Sequence, residues 1–356
     1  MRKALESFYD PWNSSMRRTG EMVDLTEAQE ERAMRLHGEA VVVDTHCDTL
    51  MQLIPQRRGK ARELGERSEA GHIDLPRMVE GGVTCQTFAM FTGTRAVVPE
   101  ALLTALQMVD AFQGQIEANE GIMAVTKPDE ILAAKKAGKV TGLLAIEGAE
   151  PLMGDLGLLR VFHRLGVRML SFAWNWRTPF ADGLNAKRSG GKLTDLGVQA
   201  LEEMDRLGMV YDVSHLADSV YWDVAEVKKG PFIASHSNCR DVCDHPRNLN
   251  DDMIRALADH SGVMGMNFAP AFVDKEKATV ERLVDHIDHV VDLVGPDYVG
   301  LGSDFDGIGS TPVGLEDVSK MPNITRELVR REYSDEDILK ILGENHLRVF
   351  EEVIRN

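Results

Sequence analysis

Five short apolar runs in this chain end in imidazole or carboxylate groups. Val41–Asp44 leads into Asp44-Thr45-His46-Cys47-Asp48, and Gly142–Glu147 closes on Ile146-Glu147-Gly148. Met209–Val213 leads into Asp212-Val213-Ser214-His215, and Phe232–Ser235 into Ser235-His236-Ser237. Tyr298–Ser303 leads into Ser303-Asp304-Phe305-Asp306-Gly307. His46 and Asp48 are two residues apart, so in extended backbone they point the same way and can grip one ion together. His215 and His236 suit a second ion, and Glu147 has two oxygens with which to bridge both. Imidazole and carboxylate without thiolate favour Zn²⁺, with Mn²⁺, Fe²⁺ and Co²⁺ left for geometry to decide. Two ions about 3.5–4 Å apart hold a hydroxide between them and polarise a carbonyl.

Each residue alone has a plainer reading. A single histidine at a strand end is more often a hydrogen-bonded structural residue, Asp44 reads equally well as a turn cap, and Glu147 could close an ion pair. The joint pattern of His46, Asp48, Glu147, His215 and His236 argues for metal. His286 and His289 lie one helix away from that pattern and are expected to be structural. His37, His72, His163, His260 and His346 have no matching partners, and Cys47 should point away from its two neighbours and pack.

Such a set needs a scaffold that brings separate strand ends to one place. Eight runs read as strands: Val41–Asp44, Val83–Phe88, Gly142–Glu147, Val167–Phe172, Met209–Val213, Phe232–Ser235, Val263–Asn267 and Tyr298–Ser303. Helical spacing fills Pro99–Asn119, Pro128–Lys136, Leu196–Leu207, Asp251–Asp259 and Val280–Val294. Strand–helix alternation predicts parallel pairing and a closed (β/α)8 TIM barrel, whose chemistry sits at the C-terminal strand ends. An open doubly wound sheet would carry a Gly-rich phosphate loop after its first strand, and none is present. Residues 1–37 read as a mostly helical extension and 38–356 as one barrel domain. Arg57–Gly71 reads as a charged surface insertion, and 334–356 as a closing helix capped by Ser334.

At 356 residues and 43% hydrophobic, the chain can bury a large core. A formal charge of −17 argues against nucleic acid or an anionic membrane as partner. No N-terminal signal and no run near the roughly 18 apolar residues of a membrane span is seen. Four dispersed cysteines (Cys47, Cys85, Cys239, Cys243) fit a reduced, cytoplasmic protein.

With these residues on the page, the chain resembles the membrane (renal) dipeptidase family of zinc metallopeptidases. The resemblance spans roughly 38–355 and rests on the five strand-end segments above. His72-Ile73-Asp74-Leu75-Pro76, Arg247-Asn248, Gly314-Leu315-Glu316-Asp317-Val318 and Asn345-His346-Leu347-Arg348-Val349-Phe350 also carry it. It implies a barrel with two Zn²⁺ per chain, often a homodimer, hydrolysing dipeptides that include some with a C-terminal D-residue. By that likeness His46 and Asp48 hold one zinc, His215 and His236 the other, and Glu147 bridges them. Arg247 would take the substrate carboxylate, and Asp304 would relay the proton from the attacking water to the leaving amine. Where many family members place a histidine that contacts the substrate carbonyl, aligning on Thr178-Pro179-Phe180-Ala181-Asp182 puts Trp174, followed by Asn175. Indole donates one hydrogen bond and carries no charge, so Asn175 or Arg177 is the alternative donor.

Two rival readings remain. A lactonase, a deaminase or an N-acyl amino acid amidase could use the same scaffold, although His46-x-Asp48 differs from the His-x-His opening usual for barrel deaminases. A relic site without activity is the third, encouraged only by Trp174.

Overall fold

The computed structural model describes residues 25–55, 61–93 and 98–354. Among these, nine parallel strands form: β1 Val42–Cys47, β2 Val83–Phe91, β3 Ile122–Ala124, β4 Val140–Glu147, β5 Val167–Ser171, β6 Val210–Asp212, β7 Ile233–Ser237, β8 Val263–Met266 and β9 Val299–Leu301. Eight close into a barrel in the order β2-β1-β9-β8-β7-β6-β5-β4, and β4 returns to β2 in a register running from Cys85↔Thr141 to Phe91↔Glu147. The expected (β/α)8 barrel is therefore the fold. The extra strand β3 pairs with the foot of β4, Ile122 opposite Val140. Three residues are too few for a strand pattern to stand out in sequence.

The outer helices include Val98–Ala118, Pro128–Lys136, Asp195–Leu207, Asp251–Asp259 and Val280–Val294. Several start where a side-chain oxygen meets an otherwise unpaired N–H. Thr194 accepts from Gly197 N, Asn250 from Met253 N, and Thr279 from Arg282 N.

The foot of the barrel is sealed by the C-terminal helix Asn345–Val353. Its Leu347, Val349, Phe350 and Val353 pack in one cluster with residues near the strand starts, among them Val43, Cys85, Met169, Val210 and Val263. Each such large apolar side chain contributes about 1.5–3 kcal/mol on burial. The single closing helix expected over 334–356 is broken instead, with Asp335–Leu339 and Asn345–Val353 separated at Gly343. A Cβ at Gly343 would sit 2.0 Å from the Val41 carbonyl oxygen, so the chain bends where it touches β1.

The helix Glu27–Glu39, capped by Thr26 and Gln29, straddles the expected boundary and packs on the barrel. Arg326 pairs with Glu30 at 2.7 Å, and Arg32 with Asp335 at 2.7 Å. Residues 1–24 of the expected extension lie outside the described residues. Of the expected surface insertion Arg57–Gly71, residues 57–60 lie outside the described residues; the rest is not wholly on the surface, because Leu64 is buried and Arg62 donates to the Ile73 carbonyl and to Asp306.

Three buried histidines are held neutral. Thr325 Oγ1 donates to His37 Nδ1 while His37 Nε2 donates to the Gly81 carbonyl. His286 Nδ1 accepts from Cys239 N, and its Nε2 donates to the Val273 carbonyl. Burial depresses His37 and His286 to about 4 and His346 to about 3. A depressed folded pKa means the unfolded chain binds more protons below its own value of about 6.5, so stability falls as pH drops through that window. The urea midpoint should fall between pH 7 and 4.5, and His37→Gln should flatten the slope. A midpoint independent of pH, or an unchanged slope in the variant, contradicts this.

Candidate metal centre at the barrel mouth

Two strand ends share one device. Asp44, on β1, accepts from Ser303 N at 2.8 Å, Ser303 Oγ at 2.6 Å and His46 N at 3.2 Å. Asp212, on β6, accepts from Ser235 N at 2.8 Å, Ser235 Oγ at 2.6 Å and Ser214 N at 2.9 Å. Each aspartate thus ties its own strand end to another, and beside each sits a histidine of the site.

The second device also fixes a proton. Ser235 donates its hydroxyl hydrogen to Asp212, so its contact with His236 Nδ1 at 2.7 Å has the imidazole N–H as donor. His215 Nδ1, 2.8 Å from Asn175 Oδ1, must likewise carry its proton, because a carbonyl oxygen only accepts. Both rings therefore present a bare Nε2, and these two atoms lie 2.8 Å apart. Glu147 Oε1 stands 2.9 Å from His215 Nε2 and 3.5 Å from His236 Nε2. Two bare ring nitrogens and a carboxyl oxygen converge on one point, an arrangement a shared cation satisfies.

A second cluster adjoins it. His46 Nε2 is 3.7 Å from Asp48 Oδ2 and 3.8 Å from Glu147 Oε2. His46 Nε2 and Asp48 Oδ1 are buried without a hydrogen-bond partner among the described residues. Glu147 belongs to both clusters, and Asp304 groups with His46 and His236. A Cβ at Gly307 would fall 2.0 Å from Asp48 Oδ2, so a side chain there would displace the Asp48 carboxylate.

The electrostatics favour added positive charge. Burial, reinforced by Asp48, pushes the Glu147 carboxyl well above its usual range. Burial also lifts Asp304 to about 6, with His46 partly opposing. For His46 burial pulls the other way, but Glu147 and Asp48 outweigh it and raise the imidazole to about 10. Burial, then the charges of Arg247 and His46, holds His215 and His236 neutral, the state in which imidazole binds metal. The donor set thus fits one or more cations.

The backbone is held in unusual conformations at the same place. His215, Asp304 and Asp306 have φ of 70°, 64° and 65°, each costing roughly 1–3 kcal/mol in a residue with a side chain. Asp306, which the sequence reading did not single out, accepts from Thr49 Oγ1 at 2.8 Å and His72 N at 2.6 Å. It joins the residue after Asp48, the 62–74 segment and the β9 loop.

A cavity of about 200 Å³ opens over these groups. Arg247, Trp174, Asn175 and Asp304 line it with Asp48, Glu147 and His215. Arg247 donates to the His236 carbonyl at 3.2 Å, lies 5.5 Å from the Phe272 ring centre, and leaves Nε without a partner among the described residues. Asn175 reaches the site through His215. Arg177, the alternative donor, forks onto Asp182 instead. Asn267 donates to Asp304 Oδ2 at 2.9 Å. It was missed as a site residue, although it closes an expected strand and so carried the same signal as the others. Cys47 is buried, and Cys239 and Cys243 are free and buried too. His289 pairs with Asp251 at 2.7 Å on the barrel's outer helices.

Residues 30–356 match the membrane dipeptidase family (peptidase family M19). The chain is 34% identical to dipeptidase tcpJ of Claviceps purpurea over 296 residues, 80% of this chain and 70% of that protein. It is 31% identical to dipeptidase 3 of Rattus norvegicus over 332 residues, 91% of this chain and 67% of that one. A metallopeptidase structure from Rhodobacter sphaeroides, liganded with a phosphinate mimic of the dipeptide L-Ala-D-Ala, superposes with a TM-score of 0.82 at 29% identity. It covers 88% of this chain and 99% of its own. The probable dipeptidase PvdM of Pseudomonas aeruginosa superposes with a TM-score of 0.85 at 25% identity, over 92% of this chain and 99% of its own. A match running from residue 30 to the last residue makes the chain a member of the membrane dipeptidase family, a metallopeptidase that hydrolyses dipeptides.

Proposed function

We propose that the protein is a two-zinc dipeptidase, with His46 and Asp48 on one ion, His215 and His236 on the other, and Glu147 shared. The facing bare Nε2 atoms of His215 and His236, 2.8 Å apart beside a carboxylate, carry the metal reading. A donor set of imidazole and carboxylate without thiolate supports zinc. When bound, the ions polarise the scissile carbonyl and supply hydroxide from water at neutral pH.

The remaining work belongs to the chain's own residues. Arg247 receives the substrate's free carboxylate, for which a guanidinium fork held from behind by the His236 carbonyl is suited. Asp304, steadied by Asn267, takes the proton from the attacking water and delivers it to the leaving amine nitrogen. Asn175 keeps His215 in the tautomer that leaves Nε2 bare, and Trp174 lines the substrate side of the cavity. The neighbour holding a mimic of L-Ala-D-Ala supports a D-residue at the C-terminal position. Four free, buried cysteines suit a reducing compartment such as the cytoplasm.

Dipeptide cleavage by the purified chain should disappear on chelation and return with zinc, and a panel of L-L and L-D dipeptides should release free amino acids. Cleavage that survives complete metal removal refutes the metal mechanism. Arg247→Lys should raise KM by about ten- to a hundredfold, with a smaller effect on kcat. Asp304→Asn should lower kcat by about 10²–10⁴ with metal content unchanged. Because Asp304 also lies near His46 and His236, metal lost from that variant would make it a ligand instead.

A further inference from the structure

The closed strand order fixes which groups face each other across the barrel mouth. In the ring β2-β1-β9-β8-β7-β6-β5-β4, strand β2 lies opposite β7, and β5 opposite β9. Arg247 belongs to the loop after β7, and Phe272, over which its guanidinium sits, follows β8. Phe91 ends β2, and Trp174 follows β5 on the other arc. Their ring centres are 5.1 Å apart, and the Trp174 ring stacks on His215 at 5.4 Å. Both line the cavity, with Glu147 at the end of β4 between their strands.

A dipeptide has its free carboxylate at one end and its N-terminal side chain on the far side of the scissile amide. With the carboxylate at Arg247 and the amide over the centre, that side chain is delivered to the Phe91–Trp174 arc. Two aromatic faces in contact form a broad apolar wall with no charge of their own, and such a wall rewards buried apolar area. An acidic or minimal side chain gains nothing there.

We infer that Trp174 and Phe91 are specificity-determining residues, and that the substrates are dipeptides whose N-terminal residue carries a large apolar or aromatic side chain. The inference rests on the dipeptidase reading of this same site. Trp174 selects through shape and apolar contact and is not needed for proton transfer.

The test is steady-state kinetics of the zinc-loaded full chain on Phe-Ala, Leu-Ala, Gly-Ala, Glu-Ala, Ala-Ala and Ala-Phe. In the wild type kcat/KM for Phe-Ala and Leu-Ala should exceed that for Gly-Ala and Glu-Ala by at least about tenfold, the scale of discrimination an apolar pocket achieves. Trp174→Ala and Phe91→Ala should each shrink that ratio about fivefold or more, mainly through KM. The Ala-Phe to Ala-Ala ratio, set on the Arg247 side, should not move. Should Trp174→Ala fail to fold, Phe91→Leu reads the same wall. Cleavage without a preference at the N-terminal position, or a preference that survives these substitutions, overturns the inference while leaving the dipeptidase reading intact. No cleavage of any dipeptide overturns both.

Discussion

His215 and His236 meet with their Nε2 atoms 2.8 Å apart, and neither nitrogen carries the hydrogen that would make this a bond. Both protons are committed elsewhere, one to Asn175 and the other to Ser235. Those commitments reach deep into the fold. Ser235 is fixed by Asp212, which also holds the backbone of Ser214 and Ser235, so the tautomer of one ring depends on β6 and β7 lying side by side. Asn175 depends on the loop that leaves β5. Like lone pairs pressed together in a buried site repel, and a shared cation turns that repulsion into ligation.

The rest of the molecule reads as the means of holding that arrangement. The C-terminal helix seals the foot of the barrel with apolar side chains, leaving the mouth free for polar groups. At the mouth, Asp44 and Asp212 cross-link strand ends, and Asp306 fastens the β9 loop to Thr49 and His72. Closure then separates tasks around the rim. Positive charge gathers after β7, the aromatic wall stands after β2 and β5, and Glu147, common to both clusters, lies on β4 between those two strands.

Much of this was legible in the sequence, because the relevant signals are local. Strand-end position marked His46, Asp48, Glu147, His215, His236 and Asp304, and two-residue spacing marked His46 with Asp48. The alternation of runs indicated the barrel. What stayed hidden depends on contacts between distant segments. The last helix breaks at Gly343, where the chain closes on the backbone of Val41 and Val43, and Arg62 looked like surface charge until Asp306 came to meet it. Phe91 carries no signal of its own, since an aromatic at the end of an apolar run reads as core. Its meaning comes from Trp174 beside it and Arg247 across the rim, which only ring closure supplies. β3 is too short to read at any distance.

The most direct test of the central claim is anomalous diffraction at the zinc edge from crystals of the zinc-loaded protein. Two strong peaks are expected in the barrel mouth. One should lie within about 2.0–2.1 Å of Nε2 of both His215 and His236, the other beside His46 Nε2 and Asp48, with Glu147 reaching each. Absence of density between the two Nε2 atoms, or ligation through the Nδ1 atoms that Asn175 and Ser235 occupy, would contradict the account.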